Sequence, residues 1–246
     1  MNDTEVIILA GGYGKRMESD LPKALVSLRG MPLIEHVLNS VKKSGVTDNP
    51  IVVVGQKREQ VTAFLGDSVR YAVQEEQLGT GHAVICAINA LREETKSVLV
   101  LYADHPYITA ETVQRLVENR TQSNSTISLA TVQLPNFEGF NEVFTSFGRI
   151  VRDTKGTIIK IVEARDATDE EKNITEVNPA YFCFDKKWLI ETLPKLKNDN
   201  AQREYYLTDL IGIAMSESKK ISSISIEAKE ALGTNSKEDL TRAESL

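Results

Sequence analysis

Short apolar runs alternate with stretches of helical periodicity in the first part of the chain. Strands are predicted at residues 6–10, 51–54, 70–74 and 97–102, and helices at 33–41, 59–65 and 81–91. Repeated strand and helix units of this kind favour a parallel sheet with helices on both sides. The run 97–102 is apolar almost throughout, as expected for a strand covered on both faces. The pattern predicts an α/β fold of Rossmann-like, doubly wound type.

The second half of the chain has a different pattern. After residue 134 the strand-like pieces are shorter, at 148–152, 158–163 and 181–184, and 135–147 is the least regular segment. This half is predicted to be a smaller α+β lobe. No linker rich in proline, glycine or serine divides the halves, so we expect a single domain over 1–246, with lobes at 1–134 and 135–246.

Charge and hydropathy argue against several classes of protein. A formal net charge of -6 disfavours a broad nucleic-acid footprint, which needs a basic face. No apolar run approaches the ~20 residues that a bilayer span requires, and acids stand at the N-terminus where a signal peptide carries bases. Cys86 and Cys183 lie far apart and are expected to be reduced thiols. We expect a cytoplasmic protein with small-molecule partners and no nucleic-acid or membrane partner.

A glycine-rich loop follows the first predicted strand. Its glycines and the basic residues that come with them are Gly11, Gly12, Gly14, Lys15, Arg16 and Lys23. Glycine lets backbone N–H groups approach an anion closely, and the cations would screen a triphosphate. On glycine spacing alone, a structural tight turn explains the loop as well as a phosphate site does. The cations after the strand end favour the phosphate site.

Two more polar segments follow predicted strands, at the sheet edge where open α/β folds bind ligands. Residues 74–83, QEEQLGTGHA, end a strand and open a helix. The Gln74 carboxamide both donates and accepts, which suits the imide edge of a uracil, although a plain helix start has the same pattern. His82 is interpreted as a capping or packing residue. Asp104 is a hard ligand suited to Mg²⁺, with a turn or N-cap aspartate as the alternative.

The segment LAGGYGKRMESDLPKAL at residues 9–25 resembles the signature of the sugar-nucleotide pyrophosphorylases. The string QEEQLGTGHA is similar to a segment of bacterial N-acetylglucosamine-1-phosphate uridylyltransferases. The resemblance implies the nucleotide-diphospho-sugar transferase fold, with a mixed, mostly parallel sheet and a sugar-binding lobe. It also implies Mg²⁺-dependent uridylyl transfer from UTP to N-acetylglucosamine 1-phosphate. Lys15 departs from the signature and either contacts phosphate or points to solvent.

The same resemblance implies roles for individual residues. The implied nucleotide-binding residues are Leu9, Ala10, Gly11, Gly12, Gly14, Lys23, Gln74, Gln77, Gly79, Thr80 and Tyr102. Catalytic roles fall to Arg16 and Lys23 at the leaving pyrophosphate, and to Asp104. Asn235, in the string LGTNS, is the second implied Mg²⁺ ligand beside Asp104. The residues implied at the sugar phosphate are Gly148, Glu163, Asn178, Tyr206 and Thr208.

Three departures from the family lie near the expected sugar site. Arg203 stands where glycine is usual, Pro179 and Ala180 replace a small residue and a glycine, and 135–147 is longer than the family's loop. A pyrophosphorylase for another base or hexose phosphate, or a nucleotide-sugar-sensing subunit without turnover, therefore stays open. Many relatives continue into a left-handed β-helix acetyltransferase, but no hexapeptide repeat occurs here, so acetyl transfer is not expected. The oligomeric state, monomer or weak dimer, is left open.

Overall fold

A computed structural model describes residues 3–12, 17, 19–200 and 202–246. Its strands are β1 (Thr4–Leu9), β2 (Ser27–Leu28), β3 (Met31–Pro32), β4 (Ile51–Val54), β5 (Arg70–Val73), β6 (Ser97–Tyr102), β7 (Ile127–Gln133), β8 (Gly148–Arg152), β9 (Ile158–Val162), β10 (Glu176–Asn178), β11 (Phe182–Asp185) and β12 (Ile221–Ser225). Its α-helices are α1 (Leu33–Ser44), α2 (Arg58–Leu65), α3 (Thr80–Ala87), α4 (Ala110–Ser123), α5 (Asp169–Lys172), α6 (Lys186–Thr192), α7 (Asp209–Ser216) and α8 (Lys237–Glu244). The predicted site residues Gly14 and Arg16, and Lys15 between them, lie outside the described residues.

One ten-stranded sheet runs through the protein in the order β5-β4-β1-β6-β11-β7-β10-β8-β9, with β12 paired to β7. β1 is parallel to β4 and β6, and β4 is parallel to β5. β11 is antiparallel to both of its neighbours, β6 and β7. The predicted mixed α/β sheet is confirmed: the strands β5, β4, β1 and β6 of the N-terminal half are parallel, and β12 of the C-terminal half is parallel to β7. β11 comes from the second half of the sequence, yet it lies between two strands of the first half.

Alternate residues of the central strands enter two separate cores, one on each face of the sheet. In β1, Val6 and Ile8 pack into one core, and Ile7 and Leu9 pack into the other. Helices α1, α2 and α4 cover the first face, whereas α3, α6 and α7 cover the second. Because successive strand side chains point to opposite faces, a strand covered on both sides must be apolar at every position. This arrangement explains the unbroken apolar runs.

The predicted elements of the first half are present, with shifts at their ends. The helix expected at 81–91 is shorter, since α3 ends at Ala87 and a 3-10 turn covers Ile88–Ala90. The strand expected at 181–184 is β11, which starts one residue later, after Ala180 with a φ of 65°.

The irregular segment 135–147 contains a 3-10 stretch, Gly139–Ser146, and it is packed against the sheet. Phe144 is fully buried, and the Arg149 guanidinium lies 4.7 Å from the centre of the Phe137 ring. At the other end of the chain, α8 packs against β2, and the Tyr107 hydroxyl donates to the Ala243 carbonyl oxygen. Among the helices described, none has both the length and the apolar character needed to cross a membrane.

Candidate active site

Two open clefts lie side by side at the carboxyl ends of the parallel strands. The first has a volume of about 800 Å³, and we call it the nucleotide cleft; its lining residues are Leu9, Ala10, Gly11, Gly12, Lys23, Ala24, Gln74, Gln77, Gly79, Thr80, Ala83, Tyr102, Ala103, Asp104 and Glu204. Every described residue with a predicted role in nucleotide binding lines this cleft. Strand ends at a topological switch are the usual ligand site of such sheets.

The backbone after β1 packs closely against the backbone after β4 beside the nucleotide cleft. Ala10 continues the ladder past the end of β1, since its N–H donates to the Val53 carbonyl oxygen at 2.9 Å. A Cβ on Gly55 would lie 2.6 Å from the Gly11 carbonyl oxygen, and one on Gly11 would lie 3.0 Å from Gln74 Oε1. Gly55 can therefore carry no side chain without displacing backbone, and Gly11 leaves room for the Gln74 amide.

Gln74 is held firmly in the wall of this cleft. Its side chain is buried, and its Nε2 donates to the Gly79 carbonyl oxygen at 3.1 Å. The Gln77 Nε2 in turn donates to the Gln74 carbonyl oxygen at 3.2 Å. Gly79 has a φ of 102°, and a Cβ there would lie 2.7 Å from the Tyr205 carbonyl oxygen. Both the backbone angle and the contact require glycine at this position.

Asp104 and Asn235 meet across the ammonium group of Lys23. Lys23 Nζ donates to Asp104 Oδ2, and it donates to Asn235 Oδ1 at 2.5 Å. The Thr234 N–H also donates to the backbone carbonyl oxygen of Asp104 at 2.8 Å, which ties the distal segment to this turn. The structure thus places side by side the two residues that the family resemblance implies as metal ligands.

The charge state of Asp104 suits a cation site. Burial alone would raise the pKa of its carboxyl group, but the neighbouring Lys23 ammonium and His105 lower the pKa below the ordinary value. Carboxylate and amide oxygens fit a hard divalent ion. In the part of the chain that is described, no group of three or more His, Cys, Asp and Glu residues could hold a metal.

His105 supports the Asp104 turn from behind, a role that sequence reasoning missed. Its Nδ1 lies 2.9 Å from the Tyr181 hydroxyl, which itself donates to the Glu230 carbonyl oxygen at 2.7 Å. Since that hydroxyl proton is used, Nδ1 must donate, and Nε2 is left as the free acceptor. Burial lowers the pKa of His105, which favours the neutral ring. A Cβ on Gly233 would lie 2.8 Å from His105 Nε2, so this glycine keeps the ring and Asn235 close.

The second cleft has a volume of about 1100 Å³, and we call it the sugar cleft; its lining residues are Thr80, Tyr102, His105, Ser146, Phe147, Gly148, Glu163, Ala164, Arg165, Asp166, Asn178, Pro179, Ala180, Gln202, Glu204, Tyr206 and Thr208. All five residues expected at the sugar phosphate line it. The three departures from the family pattern also border this cleft or lie close to it. Arg203 adopts a φ of 55°, which explains why glycine is usual at that position.

Glu163 and Asn178 are polar residues of the sugar cleft whose side chains are held by hydrogen bonds. Glu163 Oε1 accepts a hydrogen bond from the Thr208 hydroxyl at 3.0 Å, and burial raises the pKa of the Glu163 carboxyl group. Asn178 is buried, and its Oδ1 accepts from the Ala180 N–H at 2.9 Å. The Asn178 amide nitrogen is therefore the end of this side chain that is available to a ligand.

The segment 204–207 connects the two clefts. The Tyr205 N–H donates to the Leu78 carbonyl oxygen, and the Gly81 N–H donates to the Tyr205 carbonyl oxygen, both at 2.7 Å. The Leu207 N–H donates to the Thr80 hydroxyl at 3.1 Å. Thr80, Tyr102 and Glu204 consequently line both cavities. Glu204 was missed by sequence reasoning, which assigned it no role.

The α/β sheet carries a glycine turn at the end of β1, and the pair of Asp104 and Asn235 lies beyond the end of the neighbouring strand β6. Together these features define a nucleotidyltransferase. Residues 6–208 match the MobA-like NTP transferase domain, and the chain belongs to that family. The resemblance to nucleotidyltransferases found in the loop strings is thereby confirmed.

Curated relatives called bifunctional protein GlmU match almost the whole chain. The protein from Caldicellulosiruptor saccharolyticus is 40% identical over 240 residues, which are 97% of this chain and 50% of the relative. The one from Acetivibrio thermocellus is 42% identical over 238 residues, again 50% of its length. The chain spans about half the length of these relatives.

A solved structure shares the fold at much lower sequence identity. It is described as a glucose-1-phosphate thymidylyltransferase from Bacillus anthracis in complex with sucrose. The two structures superpose with a TM-score of 0.76 at 20% identity, over 98% of this chain and 94% of the other. At this identity the likeness establishes the nucleotidyltransferase fold.

Proposed function

We propose that this nucleotidyltransferase moves a uridylyl group from UTP to N-acetylglucosamine 1-phosphate and releases pyrophosphate. The observation that carries the proposal is the joining of two clefts at Thr80, Tyr102 and Glu204, beside Asp104 and Lys23. A transferase without a covalent intermediate must hold donor and acceptor together, and adjoining clefts allow this. The similarity of the strings at 9–25 and 74–83 to uridylyltransferases supports the choice of substrates.

In the proposed reaction, a phosphate oxygen of the sugar phosphate attacks the α-phosphorus of UTP. The bond between the α-phosphorus and the oxygen bridging to the β-phosphorus breaks, and the electron pair leaves with pyrophosphate. No general base is needed, because the attacking phosphate is already ionised. The residues act by positioning the reactants and by neutralising charge.

Charge neutralisation would be shared between the Asp104 and Asn235 pair and the basic side chains. Asp104 and Asn235 would hold a divalent ion, proposed to be Mg²⁺, which when bound supplies positive charge to the phosphate oxygens. Lys23 now sits between these two oxygens, and it would contact the phosphates once an ion replaces its ammonium. Arg16 is proposed to act at the leaving pyrophosphate.

The sugar cleft fits a polar, hydroxyl-rich acceptor. An ionised Glu163 can accept two charge-assisted hydrogen bonds from neighbouring sugar hydroxyls. The Asn178 amide nitrogen would donate to an oxygen of the acceptor. Both proposed substrates are charged metabolites that do not cross membranes, and we propose that the protein acts on them in the cytoplasm.

The test is pyrophosphate release over a matrix of nucleoside triphosphates and sugar 1-phosphates, with Mg²⁺ and then with a chelator. UTP with N-acetylglucosamine 1-phosphate should give the highest kcat/KM, and the chelator should abolish turnover. Activity confined to another sugar or base would refute the substrate assignment and leave the transferase class standing. Silence with every pair would favour a sensing subunit, and ligand binding without turnover would then be expected.

A further inference from the structure

The amide of Gln74 has both of its N–H groups engaged by acceptors of the protein itself. Nε2 donates to the Gly79 carbonyl oxygen at 3.1 Å and lies 3.2 Å from His82 Nδ1. A carbonyl oxygen can only accept, so the atom that faces Gly79 must be the amide nitrogen. The same nitrogen can only donate to His82, which requires a lone pair on His82 Nδ1. The proton of the neutral ring is therefore on Nε2.

The other side of the His82 ring agrees with this tautomer. His82 Nε2 lies 3.8 Å from Cys86 Sγ, and sulfur is a weak acceptor for the Nε2 proton. The ring is half-buried at the start of α3, one turn before Cys86. The Gly79 oxygen, the Gln74 amide and His82 thus form one chain of hydrogen bonds in which each donor is assigned.

With both N–H groups engaged, Gln74 presents its carbonyl oxygen to the cleft. Oε1 is the atom nearest to the position of a Cβ on Gly11, at 3.0 Å, and both residues line the nucleotide cleft. At this point Gln74 accepts a hydrogen bond and does not donate one, although its sequence predicts that the carboxamide would do both. Uracil carries a ring N3–H that can donate, whereas cytosine carries a bare N3 lone pair that would face the oxygen.

We propose that His82 is a positioning residue for base selection, because it holds the Gln74 carboxamide in the orientation that reads a ring N–H. The inference rests on the proposed function and adds to it the atom that discriminates between UTP and CTP. Without the acceptor at Nδ1, one N–H of Gln74 loses its partner, and the amide gains freedom to turn its nitrogen to the base. Loss of one neutral hydrogen bond at this site should lower the preference for UTP over CTP by about tenfold.

A matched pair of variants tests the roles of the two His82 ring nitrogens separately. In His82→Asn the side-chain oxygen reaches the place of Nδ1 and keeps the acceptor, whereas the longer amide of His82→Gln extends to the place of Nε2. Cys86→Ala is the control, because it removes the neighbour of Nε2 and leaves Nδ1 intact. For each variant, kcat and KM are measured with UTP and with CTP at saturating sugar 1-phosphate, together with the KM of the sugar phosphate.

In His82→Gln the ratio of kcat/KM for UTP to that for CTP should fall about tenfold, mainly through the KM of UTP. His82→Asn and Cys86→Ala should keep the ratio of the parent protein within about twofold, and the KM of the sugar phosphate should stay constant in all three. An unchanged ratio in His82→Gln, or an equal fall in His82→Gln and His82→Asn, would overturn the proposal.

The tautomer can be measured in the unmodified protein, so the proposal stays testable where a variant does not fold. Long-range ¹H–¹⁵N correlation spectra should give His82 the pattern of a neutral ring protonated at Nε2. Protonation at Nδ1 would overturn the inference. Turnover with dTTP in place of UTP would contradict the proposed substrate but support the inference, since thymine has the same N3–H. Preference for CTP would overturn both.

Discussion

Two clusters of buried charge lie at opposite ends of the same central strands. At the amino end, Glu5 in β1 is fully buried, and its two oxygens accept from Arg70 and from Arg92. At the carboxyl end, Asp104 follows β6 and pairs with Lys23, and both of these side chains are 15% exposed. The Glu5 carboxylate is closed off from solvent, whereas Asp104 lines an open cleft.

The difference between the clusters lies in what each carboxylate has left to offer. Both oxygens of Glu5 are taken by guanidinium groups, so a ligand would have to break an ion pair to reach them. Asp104 faces a cation that sits on a long flexible side chain and can be exchanged for another cation. The Glu5 cluster is therefore expected to serve stability, and the Asp104 cluster to serve binding and turnover.

The largest effect is expected from Asp104→Asn. This change keeps the shape of the side chain but removes its charge, and turnover should fall by about a thousandfold because charge on the phosphates is no longer neutralised. Steady-state pyrophosphate release measures the loss, and circular dichroism during heating serves as the folding control. Turnover close to that of the parent protein would remove Asp104 as the anchor of a metal ion.

Glu5→Gln is expected to lower the stability of the protein and to leave its turnover unchanged. Loss of the buried carboxylate leaves Arg70 without its acidic partner and Arg92 with only the more distant Glu94, and the free energy of unfolding should fall by about 3 kcal/mol. Urea unfolding measures this, while kcat of the folded protein at a permissive temperature should not change. Arg92→Gln is the milder control, at about 1 kcal/mol or less, because Arg92 is 44% exposed. A loss of kcat in stable, folded Glu5→Gln would contradict the division of roles.

Glu163 adds a pH dependence that the Asp104 cluster alone would not produce. Burial raises the pKa of the Glu163 carboxyl group, so it gains a proton at a higher pH than a solvated glutamate. As the pH falls through this raised pKa, the sugar hydroxyls lose an ionised acceptor, and the KM of the sugar phosphate should rise. Glu163→Gln should raise that KM about tenfold at neutral pH. In this variant the KM should no longer rise as the pH falls.

The neighbouring Asp209 needs a control in the same experiment. Desolvation and the nearby Glu163 raise the pKa of Asp209 to about 6. Asp209, like Glu163, therefore gains its proton at a higher pH than a solvated carboxyl group does. Asp209→Asn should leave the acidic limb of the KM profile in place. If that variant flattened the profile and Glu163→Gln did not, the assignment to Glu163 would be wrong.

Glu204 is expected to give the smallest effect, and it tests whether the clefts act together. Its half-buried carboxylate lines both cavities, and burial raises its pKa. Glu204→Gln should raise the KM of both substrates by roughly threefold, because a charge contact that solvent screens contributes little to binding. A change confined to one KM would assign Glu204 to a single cleft.

The nucleotide half was largely predictable because its signals are local. The predicted strands correspond to β1, β4, β5 and β6, and the strings after β1 and β5 supply the lining of the nucleotide cleft. β7 and α4 went unpredicted, although β7 is buried along almost its whole length and α4 buries one face. The position of β11 between β6 and β7 could not be predicted, since strand order depends on pairing between distant segments.

Local sequence determined which backbone can turn tightly, which strands are covered on both faces and where polar groups follow a strand. Tertiary structure alone decided which of these groups meet. Asn235 reaches Asp104 through the Thr234 hydrogen bond, and Glu204 reaches both clefts through Tyr205. His82 looks like an ordinary helix-start residue until the Gly79 oxygen orients Gln74 against it. Propensities act over a few neighbouring residues, whereas a site is made by groups that folding brings together.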